Sequence, residues 1–350
     1  MAASSELYLV VMAGGSGTRF WPKSTSKRPK QLLAFGSDPR NTLLIQTLKR
    51  FDGIVAEDKR IIVTTEGLSA AVRDQAAGVT ILAEPQGRNT APCVYWAARA
   101  IAERNPKAVM LVMPSDHYIS KPEAFRSTVK TASGWALRSG DLVTLGVKPT
   151  RPETGYGYLR VGKQLELGCN QVEAFVEKPN AQKAEEFVRG GYLWNGGMFI
   201  WRVDAILAAF DQFMPEMSRE WDQAHGDVAR AYPKLTATSI DYGVMEKAKN
   251  VVTFTLDCGW DDLGSWTSLE TLAETWGARR AGGVATAGEM LAVESSGNIV
   301  DAPGKLVALL GVQNLIVAQN GDAILVAHKD RAQDIRLVVE AVKKVKPELA

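Results

Sequence analysis

The chain has 350 residues, enough for two or three domains, and its 46% hydrophobic and 23% charged residues describe a globular protein with a large core. A net charge of +2 gives no electrostatic reason to expect nucleic acid or an anionic membrane as partner, and no apolar run is long enough to span a bilayer. Cys93, Cys169 and Cys258 are odd in number, far apart and without zinc-ligand spacing, so free thiols in a reducing cytoplasm are expected. Residues 1–5 are small and polar and show no basic region followed by an apolar secretory segment. An apolar strand over 7–12 opens the fold and runs into a loop with Gly14, Gly15 and Gly17. Short apolar runs at 61–64, 80–83, 109–113 and 142–147 then alternate with amphipathic stretches at 42–51, 68–76, 91–103 and 122–138. This alternation predicts an α/β fold, a Rossmann-like, mostly parallel sheet with right-handed crossovers. Ligands of such sheets sit beyond the carboxyl ends of the strands. The glycine loop, Glu84 and Asp116 each follow a predicted strand.

From 151 to about 273 the pattern is mixed, with strands predicted at 156–161, 172–176, 197–201 and 251–256 around helices at 181–190 and 203–214. This stretch reads as an extension of the same domain that carries an acceptor pocket. Beyond 281, turn signals at Gly282-Gly283, Ser295-Ser296-Gly297, Pro303-Gly304 and Asn320-Gly321 separate short apolar strands. Their regularity predicts a small β-rich, β-helix-like C-terminal domain. Residues 334–345 close the chain as a helix with Ile335, Val338, Val339 and Val342 on one face. The expected domains are therefore 1–275 and 281–350.

The chemistry starts in the glycine loop. Glycines let a backbone turn sharply and approach a ligand, and loop N–H groups with cations nearby hold phosphate oxygens. Arg19, Arg28 and Lys30 supply the cations. The nucleoside-triphosphatase loop is excluded because Pro22 stands where its second glycine is required, and the dinucleotide fingerprint because Phe20 takes its third glycine position. What remains is G-G-x-G-T-R-x-x-P with Arg28-Pro29-Lys30 downstream.

That pattern resembles the opening motif of the sugar nucleotidyltransferases. The loop Glu84-Pro85-Gln86-Gly87-Arg88-Asn89-Thr90-Ala91-Pro92 is similar to that of the mannose-1-phosphate guanylyltransferases among them. The resemblance runs from residue 7 to about 270 and is looser beyond. It implies transfer of GMP from GTP to α-D-mannose 1-phosphate, giving GDP-mannose and pyrophosphate, with Mg2+ as cofactor, no covalent intermediate and a homodimeric assembly.

The resemblance also implies residue roles. Gly14, Gly15, Gly17, Thr18, Gly87, Asn89 and Ser115 would bind the nucleotide, and Arg19 and Lys30 would hold the triphosphate. Lys30 is expected as an exposed cation whose loss spares the fold. In related enzymes the loop at Glu84 meets the base; a carboxylate is acceptor-only and suits the N–H donors of guanine. Asp116, in Pro114-Ser115-Asp116-His117, would bind the metal, while His117 reads as making a local hydrogen bond. In Trp260-Asp261-Asp262-Leu263-Gly264 the family pattern W-x-D-x-G selects Asp262 as the second metal ligand, and extended neighbours face apart. Gly157, Glu177, Lys178 and Asn195 would build the sugar-phosphate side, with Lys178 neutralising phosphate. Asp116, the pair Asp261 and Asp262, and Asn89 or Thr90 also have a plainer reading as helix or turn caps, and Glu177-Lys178 as a common surface pair. A further isomerase domain of the cupin type is not expected. Another sugar-1-phosphate nucleotidyltransferase and a non-catalytic sugar-nucleotide-binding relative are the alternatives, with a dehydrogenase third.

Overall fold

The structure is a computed structural model of the chain and describes residues 6–15, 17–35, 38–274 and 277–350. In chain order the strands are β1 (Leu7–Met12), β2 (Arg60–Thr65), β3 (Thr80–Glu84), β4 (Val109–Pro114), β5 (Tyr118–Ile119), β6 (Leu142–Val147), β7 (Gly157–Glu166) and β8 (Cys169–Glu177). They continue as β9 (Leu193–Arg202), β10 (Val251–Leu256), β11 (Trp260–Asp261), β12 (Arg279–Arg280), β13 (Gly283–Val293), β14 (Asn298–Leu310), β15 (Leu315–Asn320) and β16 (Ala323–His328). The chain forms two compact units whose segments interleave: residues 1–14, 47–115 and 121–260 make the first, and 15–46, 116–120 and 261–350 the second.

The first unit is built on a nine-stranded sheet of order β3-β2-β1-β4-β9-β6-β10-β8-β7. The β3, β2, β1 and β4 strands pair in parallel, as do β6 and β10, whereas β9 enters antiparallel between β4 and β6. The strands β1, β4 and β6 are buried almost throughout and read as continuous apolar runs, as strands covered on both faces must. The helix Thr90–Ala102 covers one face; Asn89 caps it by accepting from the Thr90 N–H at 2.8 Å. Its Tyr95 meets Phe210 and Trp221 edge-on, with centroids 5.0 and 5.6 Å apart. The helix Pro122–Ser139 starts on a proline and stops at Gly140, with φ 73°, a start and stop that its sequence announces.

Among the departures from the sequence reading, two bear on the core of the first unit. The strand expected at 197–201 starts at Leu193, because Trp194 and Asn195 pair with Val147 and Gly146, and the glycines that follow do not break it. A helix not expected at all, Pro215–Gln223, packs Met217 and Trp221 inward.

In the second unit β13, β14 and β15 stack in parallel register, Val284 beside Ile299 and Ile299 beside Ile316, while β12 and β16 pair antiparallel at the two ends. One core joins Phe20, Trp21, Leu33, Phe35 and Leu43 to Trp266, Ile299, Ile316, Ile335 and Val339. The residues after the glycine loop are thus folded onto the C-terminal β layer. Polar ties reinforce this: Lys23 Nζ lies 2.6 Å from the buried Asp301 carboxylate, the Trp21 indole N–H donates to the Leu349 carbonyl at 2.7 Å, and the Asn320 amide donates to the Pro22 carbonyl at 2.9 Å. On the closing helix Ile335–Val345, Ile335 and Val339 are buried, but Val338, expected on the same face, is 38% exposed. The buried stripe follows the four-residue step, and Val338 falls on its edge.

Candidate active site

Each compact unit carries its own cluster of the expected residues. In the second unit, Gly17, Thr18, Arg19, Lys30, Asp116, His117, Asp262, Gly264 and Arg336 line a pocket of about 360 Å³. Gly17 is obligatory there. Its φ is 52°, and a Cβ would stand 2.5 Å from the Lys30 Cβ and 2.6 Å from the Lys30 backbone nitrogen. The loop therefore passes flat over Lys30 and presents the short turn Thr18–Phe20.

Lys30 is not the exposed cation expected from its charge; it is 7% exposed. Its ammonium lies 2.8 Å from the Asp116 carboxylate, 3.1 Å from the Leu263 carbonyl and in hydrogen-bond contact with the Asp262 carbonyl. An ammonium has three N–H donors, and three acceptors surround it. Lys30 is thus a clamp that fixes Asp116 and the backbone at Asp262 and Leu263, where Leu263 holds φ 49°. Burial alone would raise the Asp116 carboxyl, but Lys30, and to a smaller extent His117, hold it below the usual carboxylate range. Asp116 is therefore ionised at neutral pH, with its side chain 31% exposed.

The adjacent acids separate. Asp262 lines the pocket, while Asp261 is 5% exposed and accepts from the Leu263 N–H at 2.7 Å, capping the turn. Arg19 is exposed and reaches the Gly264 carbonyl at 3.5 Å. Among the described residues no three His, Cys, Asp or Glu side chains gather to hold a metal. Two carboxylates on one pocket suit a hard cation that takes its remaining oxygens from substrate phosphates and water.

In the first unit, Gly14 follows β1 and lies against the carboxylate of Glu84, at the end of β3. Glu84 is 3% exposed, and one of its oxygens accepts from the Tyr232 hydroxyl. Burial raises its pKa and the Tyr232 bond opposes that. Glu84 is therefore a strut between the glycine loop and Tyr232, where the sequence reading expects an open acceptor for guanine. The rest of its loop is braced by the same stretch of chain: Arg88 donates to the Leu235 carbonyl at 2.7 Å and the Thr90 hydroxyl accepts from the Ile240 N–H at 2.9 Å. Gly87 lies beside Thr65 at the end of β2. Asn89, with φ 66°, both caps the helix and shapes this loop. Ser115 does not join the second unit's pocket; it is 2% exposed, and its N–H is tied to the Met12 carbonyl at 3.1 Å. Gly15 uses its carbonyl to accept from the Gln31 amide at 3.0 Å.

The expected sugar-phosphate residues do meet, also in the first unit. A Cβ on Gly157 would run into the Glu177 carboxylate and stand 3.3 Å from the Asn195 Cβ, so only glycine leaves these two side chains in place. Lys178 pairs with Glu177 at 2.7 Å, and that bond raises its pKa. The Asn195 amide donates to Asp241 at 2.8 Å. Burial, with Glu177 nearby, pushes the Asp241 carboxyl up to about 6. Tyr156 stands edge to face with Trp194 and Trp260 beside this group, at centroid distances of 5.1 and 5.4 Å, and the two indoles lie tilted 6.1 Å apart. Asp241 and Tyr232 were missed by sequence reasoning. Both lie between recognised motifs, and Asp241 sits in a π-helical turn, Asp241–Met245, a feature frequent at functional sites with no simple sequence signature.

The chain belongs to the nucleotidyl transferase family, whose pattern matches residues 8–278; residues 288–342 match the mannose-phosphate isomerase/GMP-like β-helix domain. It is 36% identical to the mannose-1-phosphate guanylyltransferase of Escherichia coli K12, an alignment that covers 97% of this chain and 74% of that protein. It is 37% identical to the alginate biosynthesis protein AlgA of Pseudomonas aeruginosa, over 95% of this chain and 71% of that one. A crystal structure from Thermus thermophilus, described as a mannose-1-phosphate geranyltransferase, superposes with a TM-score of 0.89 at 37% identity, covering 97% of this chain and 99% of that one. A UDP-glucose pyrophosphorylase structure, at 15% identity and a TM-score of 0.50, shares the fold.

Proposed function

We propose that the chain transfers GMP from GTP to α-D-mannose 1-phosphate, releasing pyrophosphate and forming GDP-mannose. The observation that carries this reading is the second unit's pocket, where a glycine turn, Arg19 and the Lys30-fixed Asp116 share one wall system with Asp262. Identity of 36% to a guanylyltransferase over nearly the whole chain supports the choice of substrates.

The reaction brings two polyanions together at the α-phosphorus. An oxygen of the sugar phosphate is ionised at neutral pH and attacks without a general base. What the protein must supply is alignment and relief of repulsion. Gly17 and Thr18 offer backbone to the phosphates, and Arg19 offers its guanidinium. Lys30 acts one step back, keeping Asp116 charged and in place. Asp116 and Asp262 would hold Mg2+, which supplies charge neutralisation at the phosphates. Guanine recognition is assigned to the 84–89 loop with Gly14, Glu84 bracing it. Glu177, Asn195 and Asp241 present acceptors for sugar hydroxyls, and Lys178 faces the sugar phosphate.

We further assign a homodimer; Leu306, Leu310, Ile324 and Val326, exposed on the second unit, are apolar surface of the kind that copies of a chain cover. A cytoplasmic location accords with three buried free thiols. Incubating the purified chain with GTP, mannose 1-phosphate and magnesium tests the activity: GDP-mannose forms, or the reading fails.

A further inference from the structure

We propose that Arg336 is a polyphosphate-binding residue, so that the helix closing the C-terminal β domain supplies part of the phosphate pocket; the proposal rests on the nucleotidyl-transfer reading and extends it. Arg336 lies in the first turn of the helix Ile335–Val345 and lines the same pocket as Gly17, Thr18, Arg19, Asp116 and Asp262. The helix is fixed there by Ile335 and Val339, which share a buried core with Phe20 of the glycine turn. Arg336 therefore rides on a rigid element anchored to the turn it faces.

The charge balance of the pocket gives this residue its importance. The Lys30 ammonium already meets Asp116 and two carbonyls. Two carboxylates, Asp116 and Asp262, oppose any polyanion. Arg19 and Arg336 are the guanidinium groups on the lining. Arg336 is exposed and engages no hydrogen-bond or ion-pair partner among the described residues, and its neighbour Asp334 is taken by Arg331 at 2.6 Å. An exposed guanidinium that no described residue engages, on the wall of a pocket already holding two carboxylates, fits a ligand rich in anionic oxygens. The planar fork of Arg matches phosphate in bidentate fashion, and a nucleoside triphosphate or pyrophosphate offers that geometry repeatedly.

The test measures inorganic tripolyphosphate binding to the full chain by titration calorimetry, alongside steady-state kinetics. In Arg336→Ala the affinity for tripolyphosphate falls about tenfold or more, the KM for GTP rises by a similar factor, and the KM for mannose 1-phosphate stays within about twofold. Arg336→Lys recovers part of the loss. Lys344→Ala removes one charge from the same helix two turns on and leaves both readouts unchanged. Arg336→Gln serves if the alanine variant is poorly folded. Wild-type tripolyphosphate affinity in the Arg336 variants overturns the proposal, as does an equal loss in Lys344→Ala, which would reduce the effect to net charge. If the wild type binds tripolyphosphate through Arg336 but makes no sugar nucleotide, the site stands and the substrate reading fails.

Discussion

The two compact units solve the same electrostatic problem in different ways. In the second unit a buried cation organises and exposed cations are left for the ligand: Lys30 fixes Asp116 and the backbone at Asp262, while Arg19 and Arg336 face outward. In the first unit carboxylates and an amide set the geometry, with glycine leaving room for them: Gly157 admits Glu177 and Asn195, and Asp241 holds the Asn195 amide. The sign of a side chain therefore does not give its task. A lysine in a phosphate motif is a clamp if its three donors are spent on protein, and an aspartate between motifs sets a sugar-side group if it is the one holding the amide.

The largest expected effect separates clamp from ligand. Lys30→Ala leaves Asp116 without its counterion and frees the backbone at Asp262, so turnover falls by about a thousandfold or more and stability drops as well. Breaking a buried pair costs about 3–5 kcal/mol, and about 2 kcal/mol is expected here because Asp116 is partly solvated. Urea denaturation beside turnover checks both, and a variant that loses activity at unchanged stability would return Lys30 to a direct phosphate ligand. Next comes the acid pair. Asp262→Asn lowers turnover about a hundredfold and raises the magnesium concentration needed for half-maximal rate, whereas Asp261→Asn keeps most activity because its amide oxygen still caps Leu263. The reverse order would exchange the two assignments.

Gly157→Ala probes the first unit in the same way. The added methyl displaces Glu177 or Asn195, so the KM for mannose 1-phosphate rises about tenfold while that for GTP is nearly unchanged. A smaller effect is thermodynamic. The folded-state pKa of Asp241 is raised to about 6, so the native state holds its proton longer than the unfolded chain. Stability from this group is present at low pH and declines as pH rises from the ordinary carboxylate range through about 6. Asp241→Asn removes that decline, and unfolding free energies at about pH 4.5 and about pH 7.5 for both proteins, which span the upper part of that window, measure it. An equal slope in the variant would deny the shift. The smallest effect concerns the thiols: Cys93, Cys169 and Cys258 are buried, and burial pushes Cys258 up to about 12, so a thiol reagent labels them only on unfolding.

Much of this was legible in the sequence where local pattern decides. The alternation of apolar strands and amphipathic helices carried the sheet, and turn signals carried the β-helix-like region. Asp262 rather than Asp261 on the pocket followed from motif and strand geometry. Illegible were features that depend on long-range packing. Nothing near Lys30 announces that Leu263, far along the chain, will supply its acceptor. Charge at Glu84 does not reveal that Tyr232 will cover it, and the interleaving of 15–46 with 261–350 appears only when Phe20 and Trp21 are seen in one core with Ile335 and Val339. Arg336 reads from sequence as one more charge on an amphipathic helix, since helical periodicity gives the buried stripe but not what the opposite side meets.

Guanylyl transfer to the sugar phosphate is checked at its root by following pyrophosphate release from GTP by the purified chain with magnesium, with mannose 1-phosphate present or omitted. Release is expected only when the sugar phosphate is present, with GDP-mannose formed in equal amount. Pyrophosphate released equally without it, or none released with it, would contradict the assignment.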